Sequence, residues 1–258
     1  PHEPVHIALV GKYVELQDAY YSVREALYHA ALYHSRELRL TWVSSEELGE
    51  DGGEALLSSV QGIVVPGGFG IRGINGMVKA VTYARTNKIP FFGLCLGMQT
   101  MVIEFARHAF KAPQANSTEF DEHTPYPVIA LMASQRGVTE KGKTMRLGNY
   151  PCELRDGSHA ANAYGQGLIY ERHRHRYEFN NKFRAQLEAW GLICSGLSPD
   201  GELVEICELT DHPWMVGCQF HPEFGSRPGC PHPLFRDFIG VAKDILFEGA
   251  QSALPLAT

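Results

Sequence analysis

The chain has 258 residues, of which 44% are hydrophobic and 20% are charged. This is the composition of a globular protein, and it excludes a disordered chain or a collagen-like fibre. The formal net charge of −6 does not favour a nucleic-acid partner, and no apolar run reaches the roughly 18 residues that a membrane span needs. We therefore expect a protein that binds neither nucleic acid nor membrane.

The first half of the chain alternates short apolar runs with stretches of helical periodicity. Strands are predicted at residues 5–10, 38–43, 62–65 and 89–94, and helices at 18–33, 77–85 and 96–110. Residues 44–53 are acidic and contain glycine, which predicts a loop. This alternation indicates an α/β fold with a doubly wound, mostly parallel sheet flanked by helices.

The second half of the chain is less regular. It is predicted to hold a polar loop at 111–126, strands at 127–132, 144–154, 203–209 and 214–220, and helices at 177–190 and 233–247. Because no repeat and no linker rich in glycine, proline or serine divides the chain, one domain is predicted over residues 1–250. Residues 251–258 are predicted to be a disordered tail.

The cysteines do not form any Cys-x-x-Cys pair, and most lie in apolar, strand-like runs. The sequence also begins without the basic and apolar regions of a signal peptide. These features predict reduced, buried thiols in a cytoplasmic protein rather than a disulfide framework. The six positions are Cys95, Cys152, Cys194, Cys207, Cys218 and Cys230.

One of these residues, Cys95, is the centre of a Gly-x-Cys-x-Gly motif between a predicted buried strand and a predicted helix. This is the layout of a nucleophile elbow with cysteine in place of serine. The glycines permit a sharp turn, and the helix N-terminus favours the thiolate over the thiol. The alternative is a structural, buried cysteine between packing glycines.

A base for this thiol is predicted at the end of the strand at 214–220, where Glu223 follows His221 by two residues. His221 can take the Cys95 proton and later return it to a leaving group. Glu223 can hold the imidazole as the third member of a triad. In isolation, the pair is more typical of an ordinary strand-end histidine beside a surface carboxylate, but together with the cysteine motif it indicates acyl transfer.

Acyl transfer also requires hydrogen-bond donors for an oxyanion. The N–H of Leu96, which follows the candidate nucleophile, is the usual first donor. The Pro-Gly-Gly turn at 66–68 can supply the second near Gly68, because glycine lets backbone N–H groups point into a site. The alternative is a plain turn after a strand.

These three motifs, in this order, resemble the class I glutamine amidotransferases, and the resemblance covers nearly the whole chain. It implies a flavodoxin-like α/β fold, with L-glutamine as the substrate. It also implies hydrolysis of glutamine to glutamate through a thioester on Cys95, and delivery of the ammonia to a synthetase partner.

Further stretches resemble the glutaminase domains of the CTP synthase family. They are Leu-Val-Gly-Lys-Tyr at 9–13, Gly-Gly-Phe-Gly-x-Arg-Gly at 67–73, Ala-Asn-Ser-Thr-Glu-Phe at 115–120, Thr-Met-Arg-Leu-Gly at 144–148 and Glu-Arg-His-Arg-His-Arg-Tyr-Glu-x-Asn at 171–180. Carried over by match, Arg176 and Glu119 would meet the α-carboxylate and the α-amino group of glutamine. The remaining pocket residues implied by the match are Gly67, Phe69, Leu96 and Gln99.

The same resemblance implies a synthetase domain upstream of Pro1, which would aminate ATP-activated UTP to CTP in a homo-oligomeric enzyme. ATP and Mg²⁺ would belong to that domain, so no cofactor and no metal is expected in this chain. The family uses GTP as an allosteric activator, and Arg72 and Arg174 are expected to contribute to its site. For Arg72, a surface loop charge is the alternative.

Two other motifs point elsewhere. Residues 137–144 satisfy the P-loop pattern, but Gly148 and Pro151 interrupt the helix that should follow, so a surface loop is favoured. His173 and His175 could be metal ligands on one strand face, but the flanking arginines would repel a cation. Three alternative functions remain: a P-loop NTPase, the glutaminase subunit of a different synthetase, and a catalytically silent module that responds to nucleotides.

Overall fold

The computed structural model describes residues 2–131 and 145–245, which form two β-sheets and helices on both faces of the larger one. The strands are β1 Pro4–Gly11, β2 Glu37–Ser44, β3 Gly62–Val65, β4 Phe91–Leu94, β5 Asn116–Ser117, β6 Pro127–Ala130, β7 Arg146–Leu154, β8 Leu168–His175, β9 Glu178–Phe179, β10 Leu192–Leu197, β11 Val204–Leu209 and β12 Met215–Cys218. The helices are α1 Tyr21–Tyr33, α2 Ser45–Gly49, α3 Ile74–Asn87, α4 Leu96–Phe110, α5 His159–Tyr164, α6 Arg184–Ala189 and α7 Pro233–Ala242.

The larger sheet has the strand order β2-β1-β3-β4-β12-β11-β10-β7-β8. Its pairings are parallel from β2 to β12 and antiparallel from β12 to β8. Strands β3, β4 and β12 are buried along their whole length, which explains their unbroken apolar sequences. The predicted α/β class, with helices flanking a doubly wound parallel sheet, is confirmed, and the sheet as a whole is mixed.

Helices cover both faces of the parallel part because successive strand side chains point in opposite directions. Phe91 packs in a core cluster with side chains of α3 and α4, and Phe92 packs in a second cluster with side chains of α1 and α7. In the second cluster the ring centroid of Phe92 lies 5.0 Å from that of Phe235, edge-on. This packing of a large aromatic pair holds α7 against the sheet.

The carboxyl ends of β3, β4 and β12 lie side by side at one edge of the sheet. Val65 is opposite Gly93, and Leu94 is opposite Cys218. In open parallel sheets, binding sites form in the crevice beyond these ends. The loops that follow the three strands therefore converge, and they carry the three motifs that the sequence singled out.

The smaller sheet, in the order β5-β6-β9, lies beside this edge. Thr118 donates its backbone N–H to the carbonyl of Ile129 at 3.0 Å, and the next residue, Glu119, accepts a hydrogen bond from Gly70 N at 2.8 Å. The small sheet thus places a carboxylate on the loop that follows β3.

Three of the predicted elements were wrong, and one of them is the loop predicted at 111–126, which contains β5 at Asn116–Ser117. Residues 44–53 are not all loop, since they include α2, whose first turn is capped by the Ser44 hydroxyl accepting from Glu47 N at 3.5 Å. The helix predicted at 177–190 is shorter, because the segment first forms β9 and a 3₁₀ turn at Asn181–Phe183 before α6 begins. The predicted tail at 251–258 and the P-loop pattern at 137–144 lie outside the described residues.

All six cysteines are free, and five are buried while Cys230 is exposed. Among residues 2–131 and 145–245, none of the helices is both long and apolar enough to cross a bilayer.

Candidate active site

Cys95 lies in the turn between β4 and α4 with an unusual backbone conformation, φ 52° and ψ −98°. Such a conformation costs a non-glycine residue about 1–3 kcal/mol and persists only where the surroundings enforce it. Here the backbone N–H of Cys95 is held by the carbonyl of Cys218 at 2.7 Å. A Cβ on Gly93 would lie 2.5 Å from the carbonyl carbon of Gly97, so the turn also requires glycine on its strand side.

His221 and Glu223 follow β12, the neighbour of β4. Nδ1 of His221 lies 2.8 Å from Oε1 of Glu223, which is in the 3₁₀ turn Pro222–Gly225. The backbone N–H of His221 donates to the carbonyl of Arg172 at 2.8 Å, so β8 fixes the start of this turn. The imidazole is thereby held between a carboxylate and the Cys95 thiol, with its Nε2 left for the sulfur.

The charge state of His221 depends on these two neighbours. Burial lowers the pKa of His221, but hydrogen bonds with Cys95 and Glu223, and the charges on both, outweigh it and raise the pKa to about 10. The folded protein therefore favours an imidazolium beside the sulfur. Such a group can stabilise a thiolate and can donate a proton.

The loop after β3 packs directly on this pair. A Cβ on Gly67 would lie 2.9 Å from Cε1 of His221 and 3.5 Å from Cβ of Cys95, and one on Gly68 would lie 3.2 Å from the side chain of Leu96. Any larger residue at Gly67 would push into the imidazole. The glycines thus bring backbone groups close to the sulfur without an intervening side chain.

Lys12, at the end of β1, holds the same loop from the other side. Its ammonium donates to the carbonyl of Phe69 at 2.9 Å and also to that of Gly70. Burial lowers the pKa of Lys12 to about 8, against the opposing charge of Glu119. Because Glu119 also accepts from Gly70 N, both faces of the loop are fixed.

A pocket of 290 Å³ opens over the Cys95 sulfur. It combines apolar walls with a few polar groups, which is typical of a small-molecule site. Its lining residues include Tyr13, Tyr20, Tyr21, Gly67, Gly68, Phe69, Cys95, Arg174, His221, Glu223 and Phe224.

Residues 15–241 match the family described as Glutamine amidotransferase class-I. The chain belongs to the class I glutamine amidotransferase family. It is 61% identical over 257 residues to a CTP synthase of Dehalococcoides mccartyi, an alignment that covers 100% of this chain and 47% of that protein. It is also 60% identical to a CTP synthase of Roseiflexus castenholzii, with 99% of this chain and 46% of that protein covered.

A solved structure agrees with these relatives. The glutaminase domain of Trypanosoma brucei CTPS with bound acivicin superposes with a TM-score of 0.88 and 35% identity, covering 94% of this chain and 96% of that one. The predicted resemblance to class I amidotransferases and to the glutaminase domain of CTP synthases is confirmed. The chain spans about half the length of the curated relatives that it matches.

Within this amidotransferase fold, only part of the predicted site lines the pocket. Gly67, Gly68, Phe69 and Arg174 line it together with the three predicted triad residues. Leu96 is buried at the first position of α4, directly after Cys95. Gln99, Glu119 and Arg176 are not among the residues that line the pocket.

Arg72 lies outside this pocket, on a neighbouring cavity of 480 Å³. Its guanidinium is 2.8 Å from a carboxylate oxygen of Glu46, donates to the carbonyl of Lys12 at 3.0 Å, and lies 5.1 Å from the ring centroid of Tyr13. Tyr13 borders both cavities. Arg72 and Arg174 are therefore on two adjoining spaces rather than in one.

His173 and His175 belong to a buried charged network on β8. His175 Nε2 lies 2.8 Å from Glu178, and Arg146 bridges Glu178 at 3.2 Å and Glu205 at 2.7 Å. Burial, then the charges of Arg146 and His175, lower the pKa of His173 to about 2. In the part of the chain that the structure describes, no group of three or more acidic, histidine or cysteine side chains is arranged to hold a metal.

Two contacts of the site were not predicted from the sequence. Lys12 follows an apolar strand, and a lysine at such a position was a usable signal of a buried partner for its ammonium. Gln219 donates from Nε2 to the Cys95 sulfur at 3.6 Å. Because strand side chains alternate, its spacing of two from His221 was a usable signal that both face one site.

Proposed function

We propose that this chain hydrolyses L-glutamine to glutamate and ammonia, with Cys95, His221 and Glu223 as a catalytic triad. The observation that carries the proposal is the placement of Cys95 in a strained turn at the floor of a pocket, with the His221–Glu223 pair beside it. Membership in the amidotransferase family supplies the reaction class.

The reaction begins when the Cys95 thiolate attacks the side-chain amide carbon of glutamine and a C–S bond forms. The backbone N–H groups of Leu96 and of the loop at Gly68 stabilise the resulting oxyanion. The C–N bond then breaks as the His221 imidazolium protonates the nitrogen of the tetrahedral intermediate, which leaves as ammonia. Finally, water deprotonated by His221 cleaves the thioester, which releases glutamate and restores the thiol.

We also propose that Arg176 and Glu119 recognise the α-carboxylate and α-amino group of glutamine, with Gly67, Phe69 and Gln99 completing the site. Burial of Tyr177, and next the charge of Glu119, raise the pKa of Tyr177, whereas the charge of Arg176 lowers it. The charges of Glu119 and Arg176 therefore both act on the Tyr177 side chain. Arg176→Ala should raise KM for glutamine more than it lowers kcat. Arg172→Ala, at an exposed position of β8 four residues earlier, is the control and should change neither.

The fate of the ammonia follows from the relatives. We propose that it passes to a synthetase domain upstream of Pro1, where ATP and Mg²⁺ serve the amination of UTP to CTP in a homo-oligomeric, cytoplasmic enzyme, while this domain itself needs no cofactor. CTP formation from UTP, ATP and glutamine by the protein with that domain attached tests this. Formation of a different aminated product would favour another synthetase.

We further propose GTP as an activator that contacts Arg174 and Arg72. Arg174 lines the pocket above Cys95, Arg72 lines the adjoining cavity, and Tyr13 lies between the two. Arg174→Ala and Arg72→Ala should each weaken the activation of glutamine hydrolysis by GTP. Activation that is unchanged in both variants would remove these residues from the site.

The central experiment measures glutamate release and covalent labelling. Cys95→Ala should abolish glutamate release, whereas Cys230→Ala, which removes the exposed cysteine, should not affect it. A diazoketone analogue of glutamine should label the peptide that contains Cys95, as read by mass spectrometry. Turnover that persists in Cys95→Ala, or labelling confined to other cysteines, would contradict the proposal.

A further inference from the structure

A chain of buried amide groups leads from the backbone of Tyr177, between β8 and β9, to the Cys95 sulfur. Nε2 of Gln99 donates to the carbonyl of Tyr177 at 3.1 Å and to Oε1 of Gln219 at 3.2 Å. Nε2 of Gln219 donates in turn to Sγ of Cys95 at 3.6 Å. Gln99 is 3% exposed and Gln219 is 0% exposed, so water does not compete for these groups.

The direction of this chain is set at its far end. The carbonyl of Tyr177 can only accept, so Gln99 must turn its NH₂ group toward it. The second N–H of that group then requires the oxygen of Gln219 as its acceptor, which leaves the NH₂ of Gln219 facing the sulfur of Cys95. The opposite orientation would place donors against donors at a buried position, at a cost of about 1–3 kcal/mol.

We propose that Gln219 stabilises the thiolate of Cys95 by hydrogen bonding, and that Gln99 is the positioning residue that orients it. The proposal rests on the proposed function, since the attacking species there is the thiolate. A sulfur anion accepts a hydrogen bond more strongly than a thiol or a thioester does. The Gln219 donor therefore favours the form that attacks, and it loosens once the C–S bond has formed.

Other titratable and polar groups also lie around Cys95. His221 lies next to the sulfur with Glu223 behind it. Arg174 contributes its carbonyl, at 4.0 Å from Sγ, and lines the pocket. Cys218, on β12, interacts electrostatically with Cys95. None of these groups is altered by a substitution at Gln219, so we expect the variant to isolate the effect of the amide donor.

The test is the pH profile of Cys95 alkylation by iodoacetamide in the absence of glutamine. Cys230→Ser is the background, because it removes the exposed thiol. Gln219→Met removes the donor at nearly constant shape, and the isosteric Gln219→Glu replaces it with a carboxylate. Gln61→Met is the matched control, since Gln61 is a buried amide that bonds His6 N and the carbonyl of Ile245, away from the sulfur.

Gln219→Met should raise the pH midpoint of alkylation by about one unit and slow alkylation at pH 7 about tenfold. Gln219→Glu should raise the midpoint further, and Gln61→Met should leave it unchanged. If Gln219→Met does not fold, as judged by circular dichroism, Gln219→Glu carries the test alone. The inference is overturned if the folded Gln219 variant has the same alkylation midpoint as the Cys230→Ser background. This holds also when the background hydrolyses glutamine, so the two proposals can fail separately. Absence of glutamine hydrolysis in the background would instead count against the proposed function.

Discussion

The carboxylate of Glu223 lies 2.8 Å from Nδ1 of His221, only two residues earlier in the chain. Pro222, between them, begins the 3₁₀ turn that brings the carboxylate back to the imidazole. Because Nδ1 is engaged in this way, the ring presents its other nitrogen toward Cys95. The orientation of the imidazole is therefore set within a short turn, and the Cys95 thiol approaches it from the end of the neighbouring strand β4.

Glu223→Gln tests whether this carboxylate serves catalysis. The substitution removes the charge that helps to keep His221 protonated, so kcat for glutamate release should fall on the order of 100-fold with little change in KM. Glu171→Gln is the matched control, since Glu171 contacts another histidine, His232, at 2.9 Å. Equal kcat values for the two variants would contradict a role for Glu223 in the triad.

The protonation of His221 gives a pH-dependent prediction. Its pKa of about 10 lies above the value near 6.5 of an unperturbed histidine. Protonation of His221 therefore stabilises the folded state fully below pH 6.5, and this contribution is lost as the pH rises toward 10. Cys95→Ala removes one of the groups that raise the pKa, so His221 should titrate at a lower pH.

Nitrogen-detected NMR of the imidazole measures this midpoint, with His221→Gln used to assign the signal. The free energy of unfolding of Cys95→Ala should also decline less between pH 6.5 and pH 10 than that of the parent. A midpoint that does not move in Cys95→Ala would show that the sulfur does not raise the pKa.

The sequence could predict the site features that depend on residues close together in the chain. The turn at Cys95 and the pair His221 and Glu223 are readable, since each depends on spacing within a few residues. The helix α2 could also have been read from Ser44 and the acidic residues after it, a capping signal that the acidic composition obscured.

Contacts between distant segments could not be read in this way. Lys12 meets the carbonyl of Phe69 across 57 residues, and Gln219 meets Cys95 across 124. Both contacts exist only because β1, β3, β4 and β12 are neighbours in the sheet, although β2 and β5 to β11 come between them in the sequence. Periodicity predicts the strands but does not give this order.

Lys12→Met tests the support of the loop after β3. Loss of the ammonium frees the carbonyls of Phe69 and Gly70, so the loop should shift and kcat/KM for glutamine should fall about tenfold. Lys79→Met is the matched control, because Lys79 donates to the carbonyls of Gly49 and Glu50 at 2.8 Å each, at another loop. Steady-state glutamate release measures kcat/KM for both variants. An equal loss of kcat/KM in Lys12→Met and Lys79→Met would indicate a general effect of removing a lysine.

Gly97→Ala tests how closely α4 must approach the neighbouring strand. A Cβ at Gly97 would collide with the backbone carbonyl oxygen of Val65, at the end of β3. Since backbone atoms cannot move aside as a flexible side chain can, β3 and α4 would have to separate, and the Cys95 turn would move with the helix. We expect a loss of about 2–3 kcal/mol in the free energy of unfolding, together with loss of glutaminase activity. Urea unfolding followed by circular dichroism measures the free energy of unfolding.

The control is Gly167→Ala, where an added Cβ meets nothing within 4 Å and φ is not positive. Its free energy of unfolding should lie within about 0.5 kcal/mol of that of the parent. A Gly97→Ala protein as stable and as active as the control would mean that the contact between α4 and Val65 does not fix the position of Cys95.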